Sequence, residues 1–391
     1  MISENQTKIQ HYRIQEGDLT MNSILYVGLD VHTTNYTICT YEPEFDSITR
    51  EVQTAPDYKN VQKYVNKLLQ DKGKHRRVIC GYEAGCLGYS LYRQLTAVGI
   101  DCVILAPATM DRPARTPFKN DKRDARMIAR CLATHGYSAV YVPTQKDESV
   151  KGYIRMRDDH KEDMKRLKQR IISLCHQHGK IFTEGQNYWT QKHLSWLRSL
   201  KLDDALQNET LSEYMTSYYK LDEALKRFDK RIEELAAQNE YAERVKKLTC
   251  FLGIKSHTAL SMLVEIGDFK RFPDADHFAA FLGLVPGEHS SANSQKYLGI
   301  TKAGNKHLRR LLVEAAQCYN RGAVGHKSKL LTERQKGNTP EVIQYADRAN
   351  ERLRRKYRRM TYQGKQHNVA VTAIARELAC FIWGMMNDRI A

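Results

Sequence analysis

Five residues have the types and spacing to carry out phosphoryl transfer. Four are acids. Asp30 closes the run Leu25-Tyr26-Val27-Gly28-Leu29-Asp30, and Glu83 closes Val78-Ile79-Cys80-Gly81-Tyr82-Glu83. Asp121 and Asp124 lie in Asn120-Asp121-Lys122-Arg123-Asp124-Ala125-Arg126. The fifth is Ser291, in Gly283-Leu284-Val285-Pro286-Gly287-Glu288-His289-Ser290-Ser291. Four converging carboxylates repel one another in a partly desolvated pocket. Two divalent cations would neutralise them, and oxygen ligands suit Mg²⁺ or Mn²⁺. Such a pair could activate a nucleophile and steady the leaving oxygen of a phosphoryl transfer. Taken singly, Asp30 or Glu83 also reads as a helix cap or a salt-bridge partner, and Ser291 as a solvated loop serine. The combination carries the reading.

These residues need a scaffold. The apolar runs before Asp30 and Glu83 predict buried strands, with Ile24–Asp30 and Tyr36–Tyr41 forming a hairpin. A third strand is expected around Ile48–Thr54. Val61, Val65, Leu68 and Leu69 predict a helix starting near Pro56. Strand Val78–Glu83, helix Leu87–Val98, strand Cys102–Leu105 and a helix from Asp121 to Thr134 follow. Three spacings along that last helix put Asp121 and Asp124 on one side. The order predicts a mixed sheet flanked by helices, as in ribonuclease H-like folds, which brings the two strand ends together.

From about residue 145 to 245 charges dominate and glycine is rare. Ile154, Leu167, Ile171, Ile172 and Leu174, then Tyr218, Leu221, Leu225, Phe228, Ile232 and Leu235, recur at helical spacing. Two long helices are expected, in an antiparallel or intermolecular coiled coil or as a solvated spacer, interrupted between Phe182 and Leu211. The stretch Val245 to Leu260 reads as helix, tight turn, helix. It is either a helix-hairpin-helix offering backbone N–H groups to a phosphate or a structural corner. Ser291 stands in a polar stretch between a helix ending near Leu284 and a basic helix beginning near Asn305, which Thr301 could cap. Lys302, Lys306, Arg309 and Arg310 are candidate phosphate ligands or a solvated basic face. A basic helix with Arg348, Arg352, Arg354, Arg355, Lys356, Arg358 and Arg359 leads to an apolar one, Val369 to Met386, expected to pack on a domain.

Composition names the partner class. Across 391 residues, Lys plus Arg number 62 against 45 Asp plus Glu, a net charge of +17 that predicts a polyanion. Mean hydropathy is −0.60, and the sequence is expected to hold no apolar run near membrane-spanning length. The polar first 22 residues are expected to form a loose extension without a secretory signal. Nine cysteines with no CxxC pair argue against disulfides and zinc ribbons and for a reducing cytoplasm. Cys80 and Cys86 are expected to be buried. Cys175, His176 and His178 lack the second ligand pair of a zinc site.

The chain resembles the transposases of insertion-sequence family 110, the DEDD transposases understood as bridge-RNA-guided serine recombinases, over roughly residues 24 to 390. The matching blocks are Tyr26 to His32, Tyr82-Glu83-Ala84, Asn120 to Arg126, Phe281-Leu282-Gly283-Leu284-Val285-Pro286 with Ser290-Ser291, and Thr301-Lys302-Ala303-Gly304-Asn305 leading into Leu308-Arg309-Arg310. The resemblance implies an α/β plus mainly α chain. After the extension at 1–22 come a RuvC-like domain (23–145), a coiled-coil spacer (146–241), a mostly helical transposase domain (242–330) and a basic helical tail (331–391). It implies Asp30, Glu83, Asp121 and Asp124 as ligands to two Mg²⁺ or Mn²⁺ ions and Ser291 as the nucleophile. The family often reads Ser-Gly where this chain has Ser291-Ala292, which keeps Ser290 and Ser294 as alternatives. The implied partners are donor and target DNA, a structured guide (bridge) RNA, and further copies of the chain, from dimer to tetramer, in a bacterial or archaeal cytoplasm. The implied reaction is site-specific recombination through a covalent phosphoserine and a Holliday junction. The competing readings are a junction-resolving nuclease that uses metal-bound water and a non-catalytic nucleic-acid-binding scaffold.

Overall fold

The computed structural model describes residues 24–72, 76–111, 121–288 and 297–390. The chain divides into two compact units, Met1–Val142 and Pro143–Ala391.

The first unit is built on a five-stranded sheet. Its elements are β1 (Leu25–Val31), β2 (Tyr36–Glu42), β3 (Ser47–Thr54), α1 (Tyr58–Lys72), β4 (Val78–Glu83), α2 (Ser90–Ala97), β5 (Asp101–Leu105) and α3 (Asp121–Thr134). The strand order is β3-β2-β1-β4-β5. β1 pairs antiparallel with β2 and β2 with β3, whereas β1–β4 and β4–β5 are parallel. Side chains alternate between the two faces of each strand. Leu25, Val27 and Leu29 of β1 share one core with Val61, Val65 and Leu68 of α1 and Leu91 and Leu95 of α2. Tyr26 faces the opposite way, into a cluster with Ile128, Cys131 and Leu132 of α3. Cys80 is buried as expected, but Cys86 is exposed. It follows the end of β4, beyond the apolar run that buries Cys80.

The second unit is almost entirely helical: α4 (Gln145–Gln177), α5 (Gln191–Ser199), α6 (Ala205–Ala236), α7 (Asn239–Leu248), α8 (Ser256–Ile266), α9 (Ala275–Phe281), then a β6 (Pro286–Glu288) and β7 (Tyr297–Ile300) hairpin, α10 (Lys306–Ala316), α11 (Lys329–Gln335), α12 (Pro340–Tyr362) and α13 (His367–Met386). Thr144 and Asp204 cap the two long helices, accepting from the backbone N–H of Asp147 and of Leu206. α4 and α6 run antiparallel. Arg157 near the start of α4 holds Asp229 near the end of α6 at 2.7 Å, and Lys168 further along lies over the Tyr218 ring. The apolar stripe that seemed to require a partner thus finds one within the chain, as Met164, Leu167 and Ile171 pack on Leu211, Met215 and Tyr218. At the other end of the pair, Val150, Ile154, Ile232 and Ala236 join a single large core with residues of α7, α8, α9, α10, α12 and α13.

The apolar helix expected at Val369 to Met386 packs into its domain, with Arg376 and Glu377 interrupting its apolar run. α13 is long and apolar enough to cross a membrane. Ile374, Ala375, Leu378, Ala379 and Ile382 are nevertheless fully buried in the unit's core, so the helix reads as its central element.

Candidate active site

Period-2 alternation decides which acids meet. On β1, Tyr26, Gly28 and Asp30 face α3; on β4, Gly81 and Glu83 take the same face. Gly28 and Gly81 are register partners on adjacent parallel strands. A Cβ on Gly28 would lie 2.0 Å from the Ala125 carbonyl oxygen, and one on Gly81 would lie 2.8 Å from Leu132. At position 28, where the neighbour is backbone, only glycine lets α3 lie this close to the sheet, whereas at Gly81 the neighbour is the end of the Leu132 side chain. Ala125 and Ala129, both fully buried against Cys39, form the matching small surface of the helix. Arg126 fixes the helix laterally through a bidentate pair with Glu51 of β3, one arm at 2.6 Å. Asp121 and Asp124 occupy the first turn of α3, where the helix dipole favours negative charge.

The docking brings Asp30 and Asp121 together with a third group, His32. Their ligand atoms all lie within 4.8 Å of one another. The His32 Nε2 stands 3.2 Å from the Asp30 Oδ2. Burial pushes the Asp30 carboxyl above the usual carboxylate range; His32 opposes this, and the charges of Asp124 and Asp121 add to it. A carboxyl crowded in this way is short of positive charge, which is the condition a divalent cation relieves. Asp124 therefore acts on Asp30 electrostatically but lies outside the tight trio. Glu83 ends the strand beside β1, and it too is outside the trio.

Ser290, Ser291 and Ser294, in the second unit, lie outside the described residues. β6 and β7 pair antiparallel on either side of them in sequence, with Pro286 opposite Ile300 and Glu288 opposite Tyr297. Their bases are laced together: Thr301 N–H donates to Val285 O at 2.9 Å, Lys302 N–H to Gly283 O at 3.2 Å, and Asn305 N–H to Phe281 O at 2.9 Å. Gly304 has φ +130°, and a Cβ there would lie 2.2 Å from the Phe281 carbonyl oxygen. The Gly283 and Gly304 blocks of the sequence are thus the two halves of one clasp. Asn305 rather than Thr301 caps α10, its side chain accepting from Leu308 N–H at 3.0 Å.

The four candidate phosphate ligands take different positions. Lys302 and Lys306 are exposed. Arg309 is partly buried and braces the clasp, donating to Leu282 O at 2.8 Å. Arg310 is engaged with Asp158 at 2.5 Å and Glu314 at 3.1 Å. In the turn between α7 and α8, Cys250, Phe251 and Ile254 are fully buried, and Leu252 N–H donates to Asn350 Oδ1 at 2.9 Å, so that N–H is already engaged within the fold. On α12, Arg352 and Lys356 both pair with Glu377, Arg355 pairs with Glu351, and Arg354 is buried and donates to the carbonyls of Ala323 and His326. Much of that helix's charge is spent on holding the fold.

Sequence reasoning passed over His32, although the signal was available. An Asp-x-His pair at a strand end puts both side chains on one face. It also passed over the short β6–β7 hairpin and the central role of Asp158. Asp158 is engaged at once by Arg157 and Arg310 and, at 3.1 Å, by His257. That network depends on helices far apart in sequence, and local spacing does not reveal it.

Residues 27–179 match a DEDD transposase family of IS110 type, and residues 245–327 match the Transposase IS116/IS110/IS902 family. The transposase for insertion sequence element IS1533 of Leptospira borgpetersenii is 31% identical over 352 residues, covering 88% of this chain and 99% of that protein. The protein y4qE of Sinorhizobium fredii is 32% identical over 321 residues, covering 82% of this chain and 78% of that one. The transposase for insertion sequence element IS1111A of Coxiella burnetii is 27% identical over 302 residues, covering 76% and 78%.

Proposed function

The chain belongs to the IS110 family of insertion-sequence transposases, enzymes of DNA strand transfer, and we propose that it works as an RNA-guided serine recombinase. The single observation that supports the catalytic half is the gathering of Asp30, Asp121 and His32 at the end of β1, with the charge of Asp124 acting on Asp30. These residues suit a hard divalent cation, with Asp30 and Asp121 as its anionic oxygen ligands and Asp124 and Glu83 as neighbours on the same ribonuclease H-like face. Mg²⁺ or Mn²⁺ bound there would offset the carboxylate charge and polarise the phosphate under attack.

In this reading Ser291 supplies the nucleophile. Its Oγ forms a bond to phosphorus as the bond from phosphorus to one deoxyribose oxygen breaks. The serine proton passes to solvent, and the departing sugar oxygen takes up a proton to become a hydroxyl. The phosphoserine conserves the ester for rejoining. The Gly283–Gly304 clasp has the task of holding both ends of the segment that carries the serine. Exchange of strands then runs through a Holliday junction, between donor and target DNA brought together by further copies of the chain. The +17 charge supports nucleic-acid partners in general, a structured guide RNA among them.

The test is cleavage of element-end DNA by the full-length chain in Mg²⁺, with Asp30→Ala beside it. Loss of cleavage in Asp30→Ala with DNA binding retained supports the reading. Full cleavage by Asp30→Ala removes the acid cluster from the chemistry.

A further inference from the structure

We propose that His32 is a nitrogen ligand to the divalent ion, so that the centre is a mixed oxygen–nitrogen site favouring a transition ion such as Mn²⁺ over Mg²⁺. This rests on the reading that the acid cluster binds metal, and it adds a residue to that cluster. Three features of the molecule converge on it. First, His32 follows Asp30 by two positions at the end of β1, so strand alternation sends both side chains to the face that α3 covers. Second, the His32 Nε2, an Asp30 oxygen and an Asp121 oxygen already lie within 4.8 Å of one another. Bonds of about 2 Å place ligand atoms on one ion roughly 3 to 4 Å apart, so side-chain rotation alone closes the set. Third, the backbone beneath the imidazole is pinned: His32 N–H donates to Asn35 O at 2.9 Å, closing the turn into β2.

The bland role for His32 is an ion pair with Asp30. Its side chain is 49% exposed, and such a pair in water contributes little. Ligation uses the same geometry to different effect. Imidazole nitrogen is an accepted donor for first-row transition ions, whereas Mg²⁺ keeps to oxygen ligands and near-ideal octahedral geometry. Replacing one carboxylate oxygen by a neutral nitrogen also lowers the negative charge around the ion.

The experiment uses the full-length chain with Mn²⁺ as the probe, because bound Mn²⁺ reports directly on a coordinated nitrogen. Pulsed electron paramagnetic resonance of the wild type should show ¹⁴N coupling from one imidazole. His32→Gln should lose that coupling and bind Mn²⁺ roughly tenfold more weakly, with a smaller change for Mg²⁺. His32→Asp should restore binding through oxygen without restoring the coupling. Bound Mn²⁺ with no ¹⁴N coupling in the wild type, or coupling that survives in His32→Gln, overturns the assignment. Asp30→Asn keeps the two ideas separable. Wild-type Mn²⁺ affinity in Asp30→Asn overturns the acid cluster as the metal site, and no Mn²⁺ binding by the wild type overturns both. The wild-type spectrum decides the question even where a variant fails to fold.

Discussion

The residue that most constrains the site carries no chemistry. Gly28 lets α3 approach β1, and a methyl group there would sit 2.0 Å from the Ala125 carbonyl oxygen. Backbone cannot give way as a flexible side chain can. Gly28→Ala should therefore cost about 3 kcal/mol, at the upper end of overpacking penalties, and should pull Asp121 and Asp124 away from Asp30. Chemical denaturation together with strand cleavage checks both effects; a variant with wild-type stability and activity would contradict the docking described. Asp124 behaves in the opposite way. Its charge adds to the strain on Asp30, so Asp124→Asn should leave the metal-free protein as stable as the wild type or more so, while strand transfer is lost. Thermal unfolding in the presence of a chelator separates the two effects, and a marked fall in stability would mean that Asp124 is structural.

At the scale of elements, α4, α8 and α10 are tied together by Asp158, whose side chain is only 9% exposed. Burial raises its carboxyl, but the hydrogen bond and charge of His257, the charge of Arg310 and the hydrogen bond from Arg157 outweigh that and hold it well below the usual carboxylate range. A carboxyl depressed in the fold contributes stability above its unfolded value of about 3.9, and that contribution is lost as pH falls through the lower folded value. Asp158→Asn should therefore remove part of the acid sensitivity below about pH 4. At neutral pH it should cost on the order of 2 kcal/mol, the scale of hydrogen bonds to a charged group, since Arg157 keeps Asp229 and Arg310 keeps Glu314 as partners. Unfolding followed from pH 7 to pH 2 checks this; parallel curves for variant and wild type would refute it. Elements such as this show where the sequence could and could not be read. β1 and β4 were legible because their apolar runs stop at an acid, and α3 because Asp121, Asp124, Ala125 and Ile128 repeat at helical spacing. β6 and β7, only three and four residues long, carry too little periodicity to be seen. The partner of each long-helix stripe was undecidable, since a stripe on α4 packs equally well on α6 or on another copy until contacts such as Arg157–Asp229 are known.

For the whole molecule, the +17 charge is the broadest statement the sequence makes, and the structure shows where part of it is spent. Arg352, Lys356 and Arg355 face acids of their own unit, and Arg309 and Arg354 hold carbonyls. Exposed Lys302 and Lys306 remain available to phosphate. Binding to DNA or RNA should weaken steeply as salt rises, since each neutralised phosphate releases counterion, and Lys302→Ala with Lys306→Ala should flatten that slope by about two. An affinity flat from low to physiological salt would contradict a phosphate-dominated interface. The central claim, that the acid cluster and Ser291 together carry out strand transfer, has its most direct test in the covalent adduct. The full-length chain is incubated with element-end DNA and Mg²⁺, denatured, digested with nuclease and mapped by peptide mass. The account predicts a nucleotide on Ser291 that disappears in Asp30→Ala and in the presence of a chelator. Cleaved DNA with no nucleotide on Ser290, Ser291 or Ser294, or an adduct that persists undiminished in Asp30→Ala, would contradict it.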